Sequence, residues 1–566
     1  MKTNVFWIIA LLVVMLGLPR VIANAAVLPG QQSGNSDAMK SGLIVMADQV
    51  DLSALKSNLK SIHADRRLWH ETVVRALQEK ATTAQGDIIS ELEILKEAGR
   101  VESYQPLWIA NMFLVTANSD VFTVLTERHD VAEVKTSIEL ALDQPVTETP
   151  HRPGITDVED PLTDIHADDC WGMGITGAGR LISSIETGAD GTHQAIANSW
   201  AGLDPQYSDH PEWAWLDPWT GTSFPQDFGT HGTFMTGVMC GHYGDDTIGV
   251  AVDAHWLCSA VIDRIDLSHT VTGILISLQW NADPDGDPTT VWDVPDVCCC
   301  PWGLVDAHGF PPCDNTFWTA IDGMEAAGVV AIFSAGGNGP GDYTIVRPAD
   351  RATTAVSNFC VGAVDGHNSN YPVASFSSRG PSNCTPEGTP DFKPEVVAPG
   401  IDIRSCQPGN TYSIWSGTAS ATSFAAGTVA LIRQANPNLS SDEVKQILLD
   451  TAVDLGNAGD DNSSGKGLIN AYDAVLLALR TSCHYVPGDI AGNGVFNGID
   501  VTYMVSFFKG GANPPYTCLC PDGLPWFIAG DVNGNCVFNG IDVSYSVSYF
   551  KGGPAPVPCP DCPPAE

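Results

Sequence analysis

Ser416-Gly417-Thr418-Ala419-Ser420-Ala421-Thr422-Ser423-Phe424-Ala425-Ala426-Gly427 is a run of small side chains that opens an apolar helix continuing through Leu431. Three stretches upstream share its texture. Gly177-Ala178-Gly179-Arg180-Leu181-Ile182-Ser183-Ser184-Ile185-Glu186-Thr187-Gly188 is a turn feeding a strand whose end carries a carboxylate. Gly229-Thr230-His231-Gly232-Thr233-Phe234-Met235-Thr236-Gly237 sets glycines beside a histidine at a helix start, which allows close packing beneath the imidazole. Val329-Val330-Ala331-Ile332-Phe333-Ser334-Ala335-Gly336-Gly337-Asn338-Gly339-Pro340 reads as a buried strand running into a Gly turn. Apolar strands alternating with helices predict an α/β fold, a doubly wound and mainly parallel sheet.

In their order along the chain these stretches resemble the motifs of the subtilisin-like serine proteases, the subtilases. The helix opening is similar to G-T-S-M-A-[AT]-P-x-[VA]-[AS]-G, with Gly417, Thr418, Ala421, Thr422, Ala426 and Gly427 matching and Ala419 standing at the nucleophile. The acid motif [VI]-x-x-[IV]-D-T-G is matched at Thr187 and Gly188, with Glu186 as the acid. His231 takes the base position of G-H-G-T-H-V-x-G. In A-x-S-A-G-N-x-G-P the oxyanion asparagine falls on Gly337, with Asn338 one step late. Pro301-Trp302-Gly303 resembles S-[WL]-G on the substrate-binding edge, making Trp302 and Gly303 the expected substrate contacts. Pro301 has no N–H to lend a docked strand. Further likeness comes from 361–364, 374–381, Lys393-Pro394-Glu395-Val396-Val397-Ala398-Pro399-Gly400 and Gly465-Lys466-Gly467-Leu468-Ile469-Asn470-Ala471. Together they extend the resemblance over residues 165–480.

The resemblance implies serine endopeptidase chemistry, which needs an oxygen nucleophile, an imidazole, a carboxylate and oxyanion donors. Only the imidazole is unchanged. Glutamate serves as the acid in other triads. In subtilisin, losing an oxyanion donor costs about 100- to 1000-fold and losing the nucleophile on the order of a millionfold. The expected protein is therefore a pseudoprotease that holds a protein or peptide in its groove. The alternative is an active endopeptidase with Ser420 as nucleophile, although one helical step turns a side chain by about 100°.

Outside this region, Val5 to Leu18 followed by Ala23-Asn24-Ala25 reads as a secretory signal over 1–25, too short to span a bilayer. Residues 26–144 predict an α+β domain: a β-rich start at 43–46, helices at 52–62 and 68–79, and an alternating segment at 107–116. Its position resembles a subtilase propeptide; a free-standing domain is the other reading. Proline-rich 145–164 is the expected linker. Residues 248–251 are expected to begin a strand, 295–303 to form one, and 274–280 to form a helix running into Asp283-Pro284-Asp285-Gly286-Asp287. With 27 Lys and Arg against 66 Asp and Glu, the chain repels nucleic acid and anionic lipid. Sixteen cysteines in an exported chain favour disulfides, and the adjacent Cys298, Cys299 and Cys300 lack zinc-site spacing.

Residues 484–556 hold a repeat. Gly488 to Asp500 recurs 42 residues later as Gly530 to Asp542, each copy running into a short helix, 503–509 or 545–551, closed by Gly-Gly; a tail, 557–566, follows. Oxygen side chains at Asp489, Asn493, Asn497 and Asp500, and at Asp531, Asn533, Asn535, Asn539 and Asp542, suit Ca²⁺. The spacing resembles a dockerin, whose partner is a cohesin. Ala491 removes one ligand and Cys536 replaces the turn glycine, so calcium-free Asn-Gly turns are the alternative. Cysteines 483, 518, 520, 536, 559 and 562 could staple so small a module.

Overall fold

The computed structural model describes residues 39–559 and 564, except 63, 137–146, 151–158, 266, 457, 482–484, 515–517 and 520–524. The expected signal segment lies outside the described residues. Strands β1 (Met39–Met46), β2 (Val101–Leu107), β3 (Met112–Asn118) and β4 (Val131–Thr136) form an antiparallel sheet in the order β2-β3-β1-β4. Helices α1 (Leu52–Ser61), α2 (Arg66–Glu97) and α3 (Ser119–Thr126) accompany it. The expected single segment 107–116 is two strand ends around a turn with Asn111 at φ 40. α2 runs well beyond the expected 68–79. Its buried stripe His70, Val73, Val74, Leu77, Ala81, Gln85, Ile88 and Leu92 keeps helical spacing through a polar residue. Gln85 sustains that burial by donating from Nε2 to the Leu107 carbonyl at 3.2 Å.

The stretch expected as a linker contains β5 (Thr147–Pro150) and α4 (Asp160–Asp164); α5 (Ala167–Gly172) follows. Next come β6 (Leu181–Glu186), β7 (Trp215–Leu216), α6 (His231–Cys240), the hairpin β8 (His242–Tyr243) and β9 (Asp246–Thr247), β10 (His255–Ala260), α7 (Leu267–Ala282), β11 (Val297–Cys300), α8 (Trp318–Ala326), β12 (Val330–Ser334), β13 (Cys360–Val364) and β14 (Val396–Pro399). Seven strands pair in parallel in the order β14-β13-β12-β11-β6-β10-β7. The chain goes from β6 outward to β10 and then returns to β11 on the opposite flank, so the topological switch lies at the end of β6, where Glu186 stands. Residues 248–251 are loop and the strand begins at His255. There Gly249 passes so close to the end of α6 that a Cβ would sit 2.2 Å from the Gly241 nitrogen. β11 covers only four of the expected nine residues, because Pro295 and Pro301 flank it and donate nothing to a ladder.

β15 (Ile403–Gln407) and β16 (Thr411–Ser416) form a hairpin, and β5 adds to β16 with Thr147 opposite Ser416. α9 (Thr418–Ala435), α10 (Ser441–Asp450) and α11 (Ala471–Thr481) follow. The small residues of α9 let it thread the core: a Cβ on Gly427 would meet Val250 Cβ at 2.5 Å, and Phe424, Ala425 and Val429 pack among Ile332, Val361 and Val397. The N-terminal unit shares a second core with this domain, where Leu43, Val73 and Leu77 pack with Ile274, Phe317 and Ile321. Each such side chain stabilises by about 1.5–3 kcal/mol on burial. Arg66 pairs with Asp296 at 2.7 Å, and Trp69 Nε1 donates to the Ala326 carbonyl at 2.8 Å.

At the C-terminal end, α12 (Gly498–Phe508) and α13 (Gly540–Tyr549) pack on a small core of Ile490, Met504 and Val532, and β17 (Cys518–Leu519), paired with β18 (Pro525–Trp526), lies beside α11. Both helices start five residues before the expected 503 and 545, because Asn497 with Asp500 and Asn539 with Asp542 build capping boxes.

Candidate functional site

Glu186 ends β6 and His231 begins α6, and the fold brings them together. His231 Nδ1 lies 2.8 Å from Glu186 Oε1 and 3.0 Å from Oε2, and the Thr187 N–H donates to Oε2 at 3.0 Å. Glu186 is 2% exposed, while the imidazole keeps 23% of its surface open to the cleft. Burial pulls the imidazole pKa down, but the charge and hydrogen bond of Glu186, with Asp227 and Asp263 nearby, outweigh it and the net shift is upward. Gly232 makes this approach possible: a Cβ there would lie 1.8 Å from the Gly188 carbonyl oxygen and 3.0 Å from Glu186 Cβ.

Sequence reading missed Asp227, which clamps both loops. Its Oδ1 accepts from Thr187 Oγ1 at 2.7 Å and from the Gly229 N–H at 3.0 Å, and its Oδ2 accepts from the Thr233 N–H at 2.8 Å. The available signal was its place two residues before Gly229. Trp415 was missed too; it stacks on Phe234 at 4.4 Å and lies 6.0 Å from the His231 ring. The available signal was its place directly before Ser416-Gly417.

His231, Trp302, Gly303, Gly337, Trp415 and Ala419 line a narrow cleft of about 50 Å³. Ala419 is the second residue of α9 and Ser420, also on the cleft wall, is 1% exposed. Ser416 is occupied elsewhere, accepting from the Asp402 N–H at 2.9 Å, and Ser423 Oγ donates to the Ala419 carbonyl at 3.1 Å. Among the described residues no hydroxyl hydrogen-bonds His231 Nε2. Of the two residues named for the oxyanion position, Gly337 lies on the cleft wall and Asn338 does not line it. The Gly336 N–H donates to Thr418 Oγ1 at 3.1 Å, which fixes the strand end against the start of α9. Asn338 is exposed, its N–H bound to Ser378 Oγ at 3.0 Å. Gly337 stays at the cleft and brings no side-chain donor.

In the C-terminal repeat Asp489, Asp500, Asp531 and Asp542 are each at most 1% exposed. Asp489 accepts from the N–H groups of Asn493 and Gly494, and Asp531 from those of Gly534 and Cys536. Burial pushes the Asp500 and Asp542 carboxyls up, with Asp489 and Asp531 as neighbouring charges. Asn493, Asn497, Asn535 and Asn539 bond within their own turns, whereas Asn533 Nδ2 reaches Asp542. Cys536 adopts φ 58 in the glycine position and is bonded to Cys559. Cys313 and Cys384 form a second disulfide. Cys298, Cys299 and Cys300 are buried within β11.

The profile of the subtilase family matches residues 177–467. Bacillopeptidase F of Bacillus subtilis (strain 168) is 31% identical over 446 residues, 74% of this chain and 30% of the relative. The chain therefore spans less than a third of that relative's length. Serine protease AprX of the same strain is 27% identical over 328 residues, covering 54% of this chain and 68% of the relative. Subtilisin E is 28% identical over 316 residues, covering 55% and 70%. Among the described residues no helix is long and apolar enough to cross a membrane. With its sheet order, its acid–imidazole pair at the switch point and this match over half its length, the chain belongs to the subtilase family.

Proposed function

We propose that this chain is an exported subtilase homologue whose cleft holds a polypeptide without cutting it. One observation carries the reading: the α9 position facing the cleft with His231 is a methyl group, Ala419, and no hydroxyl among the described residues bonds the imidazole. Gly337 leaves only backbone donors for an oxyanion, and Pro301 removes one N–H from the wall where a peptide strand would pair. Export is supported by the leader-like segment Val5 to Leu18. The N-terminal unit then acts as a folding partner, a role supported by the core it shares with the sheet domain and by the Arg66–Asp296 pair.

An active endopeptidase with Ser420 as nucleophile is the second reading, favoured by the intact Glu186–His231 pair and by the place of Ser420 on the cleft wall. A fluorophosphonate probe and casein digestion separate the two. The purified full chain is expected to take no label and to leave casein intact. Labelling of Ser420, or digestion that disappears in His231→Ala, would establish the enzyme instead.

The C-terminal repeat we read as a dockerin-like module taking Ca²⁺ for structure and offering itself to a cohesin-like partner. Asp489 and Asp500, with Asn493 and Asn497, would hold the first ion; Asp531, Asn533, Asn535, Asn539 and Asp542 would hold the second. Four buried carboxylates in two matched loops fit a hard cation, and the second loop, which keeps Asn533 where the first has Ala491, fits better. Asp542→Ala is expected to lower Ca²⁺ affinity at the second loop at least tenfold in calorimetric titration, and unchanged uptake would refute the assignment.

A further inference from the structure

Two strand ends wall the cleft beside Ala419, and both carry glycine. After β11 the chain runs Pro301-Trp302-Gly303, and after β12 it runs Ala335-Gly336-Gly337; Gly303 and Gly336 both line the cleft. Ser334 Oγ ties the two ends together by donating to the Trp302 carbonyl at 3.3 Å. A third segment, Ile345-Val346-Arg347, is laced to both. The Val346 N–H donates to the Ala335 carbonyl at 3.1 Å, and Leu304 and Arg347 exchange two backbone bonds of 2.9 Å. The Val346 side chain is fully buried. A Cβ on Gly303 would fall 2.0 Å from Val346 Cγ2, and one on Gly336 would fall 2.3 Å from Cγ1. One isopropyl group therefore fills the hollow that both glycines leave.

Glycine on both sides of a gap admits a guest side chain only when the gap is empty, and here it has a resident. Gly336, at φ 100, and Gly303, against Val346, can grow no side chain, so the size of residue 346 alone sets the depth of the hollow. Trp302 brings no second opening: its indole is 6% exposed and packs edge-on against Phe317 and Phe333. What stays open is the narrow space of about 50 Å³ beside His231 and Ala419. Resting on the reading of this cleft as a polypeptide holder, we infer that Val346 sets its specificity: the ligand residue seated against Gly303 and Gly336 is glycine or alanine, and larger side chains are turned away. A ring pushed between the walls would have to displace the valine within a close-packed interior. The ligand class is thus a polypeptide presenting a small residue at that point, not an aromatic or long aliphatic anchor.

Short peptides ending in a free carboxylate test this. At mildly acid pH the His231 imidazolium draws the carboxylate and sets the last residue beside the two glycines. Binding of acetyl-Ala-Ala-Ala and of acetyl-Ala-Ala-Phe to the full chain is followed by the methyl resonance of Met235, which lines the cleft. The alanine peptide is expected to bind more tightly by at least about tenfold, the discrimination that even one surplus methylene brings in an apolar pocket. Val346→Gly should reverse the order, with the far-ultraviolet circular dichroism unchanged. Val346→Ala is the milder variant should the larger cut unfold the chain, and it should narrow the gap. Equal affinity for the two peptides in the parent, or an unchanged preference in whichever variant folds, overturns the inference and leaves the polypeptide reading standing. Failure of both peptides to move the Met235 signal, in parent and variants alike, overturns both.

Discussion

Ala419→Ser is expected to raise hydrolysis of an unstructured peptide from background by about 1000-fold. In subtilisin, removing the nucleophile lowers kcat on the order of a millionfold, and removing one oxyanion donor lowers it by about 100- to 1000-fold. Restoring the hydroxyl while Gly337 remains recovers the first loss less the second. The geometry favours this result, because Glu186 already holds Nδ1 at 2.8 Å and directs the opposite nitrogen of His231 into the cleft. The pH profile follows from the same pair. The base must be neutral to accept a proton, and Glu186 raises the imidazole pKa, so the acid limb of the revertant should lie above the ordinary histidine value of about 6.5. Glu186→Gln should move that limb down and lower the rate as well. A revertant indistinguishable from the parent in single-turnover assays would mean that the cleft, with Trp415 and Pro301 on its walls, no longer seats a scissile bond.

The parts of this centre readable in the sequence are those where a backbone requirement forces a residue type. Gly232 must be glycine because Gly188 passes against it, and Gly427 must be glycine because α9 crosses the core against Val250. The gapless reading that places the oxyanion position at Gly337 agrees with the place of Gly337 on the cleft wall, whereas the bond from the Asn338 N–H to Ser378 Oγ, which holds Asn338 off that wall, is a tertiary contact no local pattern marks. Other long-range contacts were hidden in the same way. Trp415 reaches His231 through tertiary packing, and Gln85 hides a continuing helix behind a polar letter whose amide satisfies the Leu107 carbonyl. The end of the helix before Asp283 is legible, but nothing in the sequence distinguishes the buried Asp283 and Asp293 from the exposed Asp287.

Lys393→Met is expected to destabilise the sheet domain by about 3–5 kcal/mol at neutral pH, lowering its melting midpoint by on the order of 10 °C. The motif Lys393-Pro394-Glu395 is legible in the sequence, but its burial is not: the lysine is fully enclosed, and its ammonium pairs with Glu395 while donating to the carbonyls of Ser357 and Asn358 at 3.1 and 3.2 Å. Glu395 Oε2 accepts from the Cys360 N–H at 2.8 Å, so the pair anchors the start of β13 beside β14. Burial pushes the Glu395 carboxyl up to about 7 against the opposing pull of Lys393. The folded state therefore holds more protons than the unfolded chain between about pH 4.5 and 7, and this group's contribution to stability falls as pH rises through that window. Without the ammonium the carboxyl must either stay protonated or sit as an uncompensated buried charge. The deficit of Lys393→Met relative to the parent should consequently be largest near pH 8 and shrink toward pH 5, where Glu395 is neutral in both proteins. Calorimetric melts at the two pH values read this directly, and an equal deficit at both would mean that lost packing of the lysine stem, rather than an unpaired Glu395, sets the cost.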